Sequence, residues 1–173
     1  MTTTPTDNSR HSSLSLAAGV LTGILALYIA LVALGNITDF GTNQQFVRHV
    51  LAMDTTFHDH DLMWRAITSK GLQDTAYVLI IVWETAAALV LIWGTYLWAR
   101  RRSDLARRIS TYGLLMLLLL FGAGFIAIGG EWFSMWQSKT WNGLEAATRI
   151  IVLTGVALVV NLLPARPQQE AAS

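Results

Sequence analysis

Gly129-Gly130-Glu131-Trp132-Phe133-Ser134-Met135-Trp136-Gln137-Ser138-Lys139-Thr140-Trp141-Asn142-Gly143 is the stretch whose reading decides the fold. It joins two long apolar runs, holds three of the chain's seven tryptophans and carries charge only at Glu131 and Lys139. Indole rings gather where one edge must be dry and the other wet. In a membrane protein that place is the headgroup layer. The stretch therefore reads as a rim at which two spanning helices surface and turn.

The composition agrees. Of 173 residues, 53% are apolar and 13% charged, against roughly 25% charged in a soluble domain. The length fits one domain, and the apolar residues come in blocks, which a soluble core would not require. The net charge of +1 gives no reason to expect nucleic acid as a partner. There is no cysteine, which excludes disulfides, thiolate metal sites, iron–sulfur clusters and a cysteine nucleophile.

Outward from the tryptophan-rich turn lie residues 109–129 on one side and 144–163 on the other. Further back are runs at 14–34 and 75–98. Each is close to the ~20 residues a helix needs to cross a ~30 Å hydrocarbon layer. The expected fold is all-α: a four-helix transmembrane bundle over residues 14–163, flanked by a disordered tail at 1–13 and a polar tail at 164–173. The run at 14–34 is too long for a signal-peptide core. Gly19 and Gly23 on it form a Gly-x-x-x-Gly pair that permits close approach of a neighbouring helix.

The connection at 36–74 is expected to form a cap. Phe46, Val47, Val50 and Leu51 fall at helical spacing, with Asn43 as N-cap, and Leu62, Met63, Ala66 and Ile67 repeat the pattern. These read as two short amphipathic helices. Orientation follows from the turn between the second and third runs. Arg100, Arg101, Arg102, Arg107 and Arg108 crowd there against Asp104, and short arginine-rich loops stay in the cytoplasm. Both termini then face the cytoplasm, and the cap and the tryptophan-rich turn share the opposite side.

Glu84 is the sharpest chemical feature, a carboxyl near the middle of the second run. Intramembrane acids are costly and mark ion or proton paths, or pair with one another or with a base. Arg149 on the fourth run lies at a similar depth, so a buried Glu84–Arg149 pair that fixes helix register is the favoured reading. A proton or ligand site, and a neutral Glu84 bonded to a hydroxyl or an indole N–H, stay open beside it. At the cap level Asp39, Arg48, Arg65, Glu131, Trp132, Trp136, Trp141 and Glu145 could line a polar, aromatic-walled pocket of the kind a small ligand or lipid headgroup needs. The competing reading is a network that staples the cap to the helix ends. His49, His58 and His60, with Asp54, Asp59 and Asp61, match no known metal-site spacing and read as a solvated acidic loop. No metal and no cofactor is expected: no histidine stands inside a run to hold haem, and no Gly-x-Ser-x-Gly, Walker loop or His-Glu-x-x-His occurs.

Several segments resemble a known family: Asn36-Ile37-Thr38-Asp39-Phe40, Phe46-Val47-Arg48-His49-Val50, Met53-Asp54-Thr55-Thr56-Phe57, Met63-Trp64-Arg65-Ala66-Ile67, Trp83-Glu84, and Glu131-Trp132-Phe133 through Met135-Trp136-Gln137-Ser138 to Trp141-Asn142-Gly143. Together they are similar to the predicted small integral membrane proteins of bacteria grouped as domain-of-unknown-function family 2165. The resemblance implies a four-helix protein of the bacterial inner membrane and supplies no catalytic residues. The expected role is a non-enzymatic packing, accessory or assembly subunit of a membrane complex. A small transporter or proton-conducting channel using Glu84 is the first alternative, and a sensor of an extracytoplasmic small ligand or lipid headgroup the second. The bilayer, a membrane protein partner or further copies of the chain are the expected partners.

Overall fold

The computed structural model describes residues 6–163, with side chains from 13 onward. Among them, helices dominate and no strand occurs. Helix α1 spans Thr6–Thr38, α2 Phe40–Ala52, α3 Lys70–Ala99, α4 Ser103–Leu118 and α5 Leu144–Leu162. Four stretches are long and apolar enough to cross a membrane: Ser13–Thr38, Lys70–Ala99, Ser103–Trp132 and Leu144–Leu162. They contain the four expected runs, except that the last ends at Leu162. Residues 6–13, expected as tail, belong to α1; residues 1–5 and the tail expected at 164–173 lie outside the described residues.

The burial pattern is that of a protein dissolved in lipid. Leu16, Val20, Ile24, Leu27 and Leu31 line one face of α1 and are all exposed, as are Leu79, Val82, Leu89 and Ile92 on α3 and Val152, Val156 and Val159 on α5. A soluble monomer rarely exposes apolar surface on that scale. The opposite stripes face inward. On α1 they are Ala18, Thr22, Leu25, Ile29, Ala33 and Asn36, at the spacing of one helix face. The central core joins Leu25 and Ile29 to Ala87, Leu91, Leu114, Leu117, Phe121 and Ile150.

The helices form a ring in which α1 packs most closely on α3, α3 on α4, and α4 on α5. Small residues make these approaches. Gly19 and Gly23 face Trp98 and Thr95, so the Gly-x-x-x-Gly pair is used within the chain. A Cβ on Gly94 would stand 2.7 Å from the Ser110 hydroxyl, and one on Gly113 2.6 Å from Leu91. The arginine turn between α3 and α4 is tight, with Arg101 left-handed at φ 56° and the Arg102 amide bonded to the Leu97 carbonyl. The Trp98 indole donates to Ser110 across it, 3.1 Å away.

Two elements depart from expectation. Beyond α4 the third span continues without a break as a π-helical segment, Leu119–Trp132. Such geometry is usually confined to single turns. Gly122, Gly124, Gly129 and Gly130 fall within it, and glycine weakens the preference for the tighter α form. In the cap, α2 starts earlier than expected, and Asp39 rather than Asn43 precedes it. The second expected amphipathic helix is only a single 3-10 turn, Met63–Arg65. Local bonds compete with a longer helix there: the Asp59 carboxylate accepts the Asp61 amide, and the Ile67 amide is drawn away to the Leu51 carbonyl.

Candidate functional site

Glu84 is almost fully buried, 2% exposed, on the inward stripe of α3. Its partner is Asn36. The Asn36 Nδ2 donates to Glu84 Oε2 at 2.6 Å, and the Tyr77 hydroxyl donates to the Asn36 backbone carbonyl at 3.1 Å. The expected pair with Arg149 does not form. Inward residues on α5 are Ala147, Ile150, Thr154, Ala157 and Asn161, whereas Arg149 is exposed. Glu84 and Arg149 do not face each other. Asn36 takes the role because α1 runs past residue 34 to Thr38, carrying the amide one turn further along the buried stripe. Toward the arginine end, Ala87, Ala88, Leu91, Leu114 and Leu117 fill the core with apolar side chains. Gln73, Tyr77 and Asn36 are buried on the cap side of Glu84, and Thr22, Ser110, Thr154 and Asn161 are buried elsewhere in the bundle. Next to Glu84, the Trp83 indole donates to the Met116 carbonyl and ties α3 to α4.

The residues expected to line a polar pocket are distributed among separate attachments. Arg48 makes a paired contact with Asp74, Nε to Oδ1 at 2.8 Å and an Nη to Oδ2 at 2.9 Å, and Gln44 donates to the same carboxylate. The hydrogen bonds to Asp74 push the Arg48 guanidinium above its ordinary value. Arg65 lies over the Trp132 ring, 4.8 Å from its centroid, with Trp64 edge-on to the same indole. Trp141 stacks on His49 at 4.6 Å, and His49 contacts Asp54. Trp136 meets the edge of Phe57. Asp39 is exposed and accepts from the Thr42 hydroxyl, and Glu131 and Glu145 are exposed. The arrangement is that of staples, each fixing α2 or the following loop to α3 or to the tryptophan-rich turn.

Hydrogen bonds through side chains of the tryptophan-rich turn complete that docking. The Phe57 amide donates to Gln137 Oε1 at 2.8 Å, and the Thr55 hydroxyl to Ser138 Oγ at 2.9 Å, which also accepts the Trp141 amide. Ser134 and Met53 take left-handed conformations at the two bends involved. The model for small integral membrane proteins of domain-of-unknown-function family 2165 matches residues 14–164. The chain belongs to this family. It is accordingly an integral membrane protein, and the family's description assigns it no activity. Comparison with curated proteins found no match, nor did comparison with solved structures. In this family 2165 chain, the segments that carry the resemblance are the ones that touch: Asn36 meets Glu84, Arg65 meets Trp132, and Phe57 and Thr55 meet Gln137 and Ser138.

One feature of the cap end was not expected from the sequence. An apolar slot of about 300 Å³ lies beneath α2, lined by Phe46, Val47, Leu51, Ala76, Leu79, Ile80, Gly124, Phe125, Ile128 and Phe133 among others. The π-helical segment and α3 make few contacts with each other, and the slot occupies the gap between them. Amphipathic spacing on α2 foretold an apolar underside, but not that its partners would stand apart.

Proposed function

We propose that the protein is a non-enzymatic accessory or assembly subunit of a larger membrane complex. It sits in a bacterial inner membrane with the arginine turn and both termini on the cytoplasmic side. The observation that carries the reading is the state of Glu84. The one carboxyl in the middle of the spanning region is engaged by Asn36 of α1 and sealed at 2% exposure. Toward the arginine end the apolar Ala87, Ala88, Leu91, Leu114 and Leu117 separate it from the next buried polar groups, Thr22, Ser110 and Asn161. Glu84 acts as a clasp between α1 and α3, which leaves the lipid-facing helix surfaces to carry the biological role. The arginine turn supports the orientation through its charge, since cytoplasmic loops collect arginine and lysine.

Purification from native membranes in a mild detergent tests the reading. A partner recovered at fixed stoichiometry supports it. Recovery of the chain alone, together with proton flux in liposomes that Glu84→Gln abolishes, overturns it in favour of a conducting role. The polar column of Gln73, Tyr77 and Asn36 on the cap side of Glu84 is the specific observation behind that second reading.

A further inference from the structure

The slot beneath α2 differs from a gap in a folded core in being open to the outside. Its walls are almost wholly apolar, and two of them, Leu79 and Ile128, are 62% and 53% exposed. It therefore opens sideways, between α3 and the π-helical segment, onto the surface that faces hydrocarbon. Its volume, about 300 Å³, is at the small end for a ligand site and suits a single chain rather than a bulky ring system. Gly124 is the wall residue that leaves it room: a Cβ there would meet only Leu120 and the Leu119 carbonyl, at 3.8 and 4.0 Å.

A cation stands at the rim. Trp132 lies four residues beyond Ile128 toward the cap, and Arg65 stacks on it. The Arg65 segment is joined to the slot on both sides, by an Nη of Arg65 to the Trp132 carbonyl beside Phe133 and by the Ile67 amide to the Leu51 carbonyl. Arg65 has no carboxylate within ion-pair distance among the described residues. Its Nε is buried without a hydrogen-bond partner. A guanidinium with donors to spare, held between two indoles at the level where apolar helix gives way to cap, is complementary to a phosphate.

We infer that the slot and Arg65 together form a binding site for one glycerophospholipid of the surrounding bilayer, with an acyl chain in the slot and the phosphate on the Arg65 guanidinium. The apolar roof of α2, Phe46, Val47 and Leu51, covers the chain from the cap side. Arg48 is not part of the site, because Asp74 already occupies it.

Native mass spectrometry of the purified protein in a non-ionic detergent tests this, with phosphatidylglycerol and diacylglycerol of the same acyl chains as probes. The intact protein is expected to retain one phosphatidylglycerol per chain, and to prefer it to diacylglycerol by at least about ten-fold, the size of one charge-assisted hydrogen bond. Arg65→Gln should erase the preference, and Gly124→Leu should abolish retention of both lipids by filling the slot. Ala76→Leu fills the same space from α3 and serves should Gly124→Leu not fold. Gly155→Leu, placed where no atom lies within 4 Å, should bind as the unaltered chain does. Equal retention across all the variants would overturn the site, as would a loss in Gly155→Leu matching that in Gly124→Leu, since either marks unspecific lipid. Undiminished preference for phosphatidylglycerol in Arg65→Gln would overturn the role of the guanidinium.

Discussion

Replacing Asn36 by leucine isolates the clasp between α1 and α3. The Tyr77 hydroxyl bonds the Asn36 backbone carbonyl, so that contact survives and only the 2.6 Å bond to Glu84 is lost. Interhelical hydrogen bonds in membrane proteins average about 0.6 kcal/mol and reach about 1.7. Both partners here are buried, and a stranded acceptor adds its own desolvation, about 1–3 kcal/mol in all. Asn36→Leu is therefore expected to lower stability by about 1–3 kcal/mol. Glu84→Gln should cost about 1 kcal/mol or less, because its amide oxygen can still accept from Asn36. The double variant Asn36→Leu with Glu84→Leu leaves no polar atom stranded. It should fall short of the sum of its single changes by about 1–2 kcal/mol, as directly contacting pairs do. Arg149→Gln, on the exposed face of α5, should stay within about 0.5 kcal/mol. Reversible unfolding in mixed micelles, followed by tryptophan fluorescence, measures all of these. Strict additivity of the two leucine substitutions, or a loss in Arg149→Gln as large as that in Asn36→Leu, would refute the reasoning.

Gly113→Ala should destabilise by about 1–3 kcal/mol, the usual range for overpacking, because its Cβ would fall 2.6 Å from Leu91; the same unfolding assay reads it. Arg48→Gln should free α2 from α3, seen as faster hydrogen exchange at the amides of residues 44–52, while exchange in α5 is unchanged. The chain's lack of cysteine makes orientation directly measurable. Lys139→Cys should react with an impermeant maleimide on intact cells, and Arg102→Cys only once the membrane is opened.

The spans were legible because lipid demands long apolar blocks, and the arginine and tryptophan clusters punctuate them. The partner of Glu84 was harder to read. Hydropathy drops at Asn36, which set the expected end of the first span too early. Periodicity held the better clue: Asn36 continues the stripe of Leu25, Ile29 and Ala33. The same test applied to the last span separates Arg149 from Ala147, Ile150 and Thr154. The cap staples join residues such as Arg48 and Asp74 that stand 26 apart, and no local pattern announces which loop side chain meets which helix. The wider third helix leaves no periodic signature beyond its glycines, and with it went any view of the apolar slot.

That widened segment, Leu119–Trp132, also gives the third span slack in length. A π-turn closes on a residue one position further along than an α-turn, so a single deletion inside it can be taken up by local return to α geometry. The tryptophan-rich turn would keep its bearing. The same deletion in α3 has no such reserve and would swing everything beyond it by about 100°, the rotation per α-helical residue. Change in chain length is thus tolerated at one wall of the bundle and not at the wall beside it.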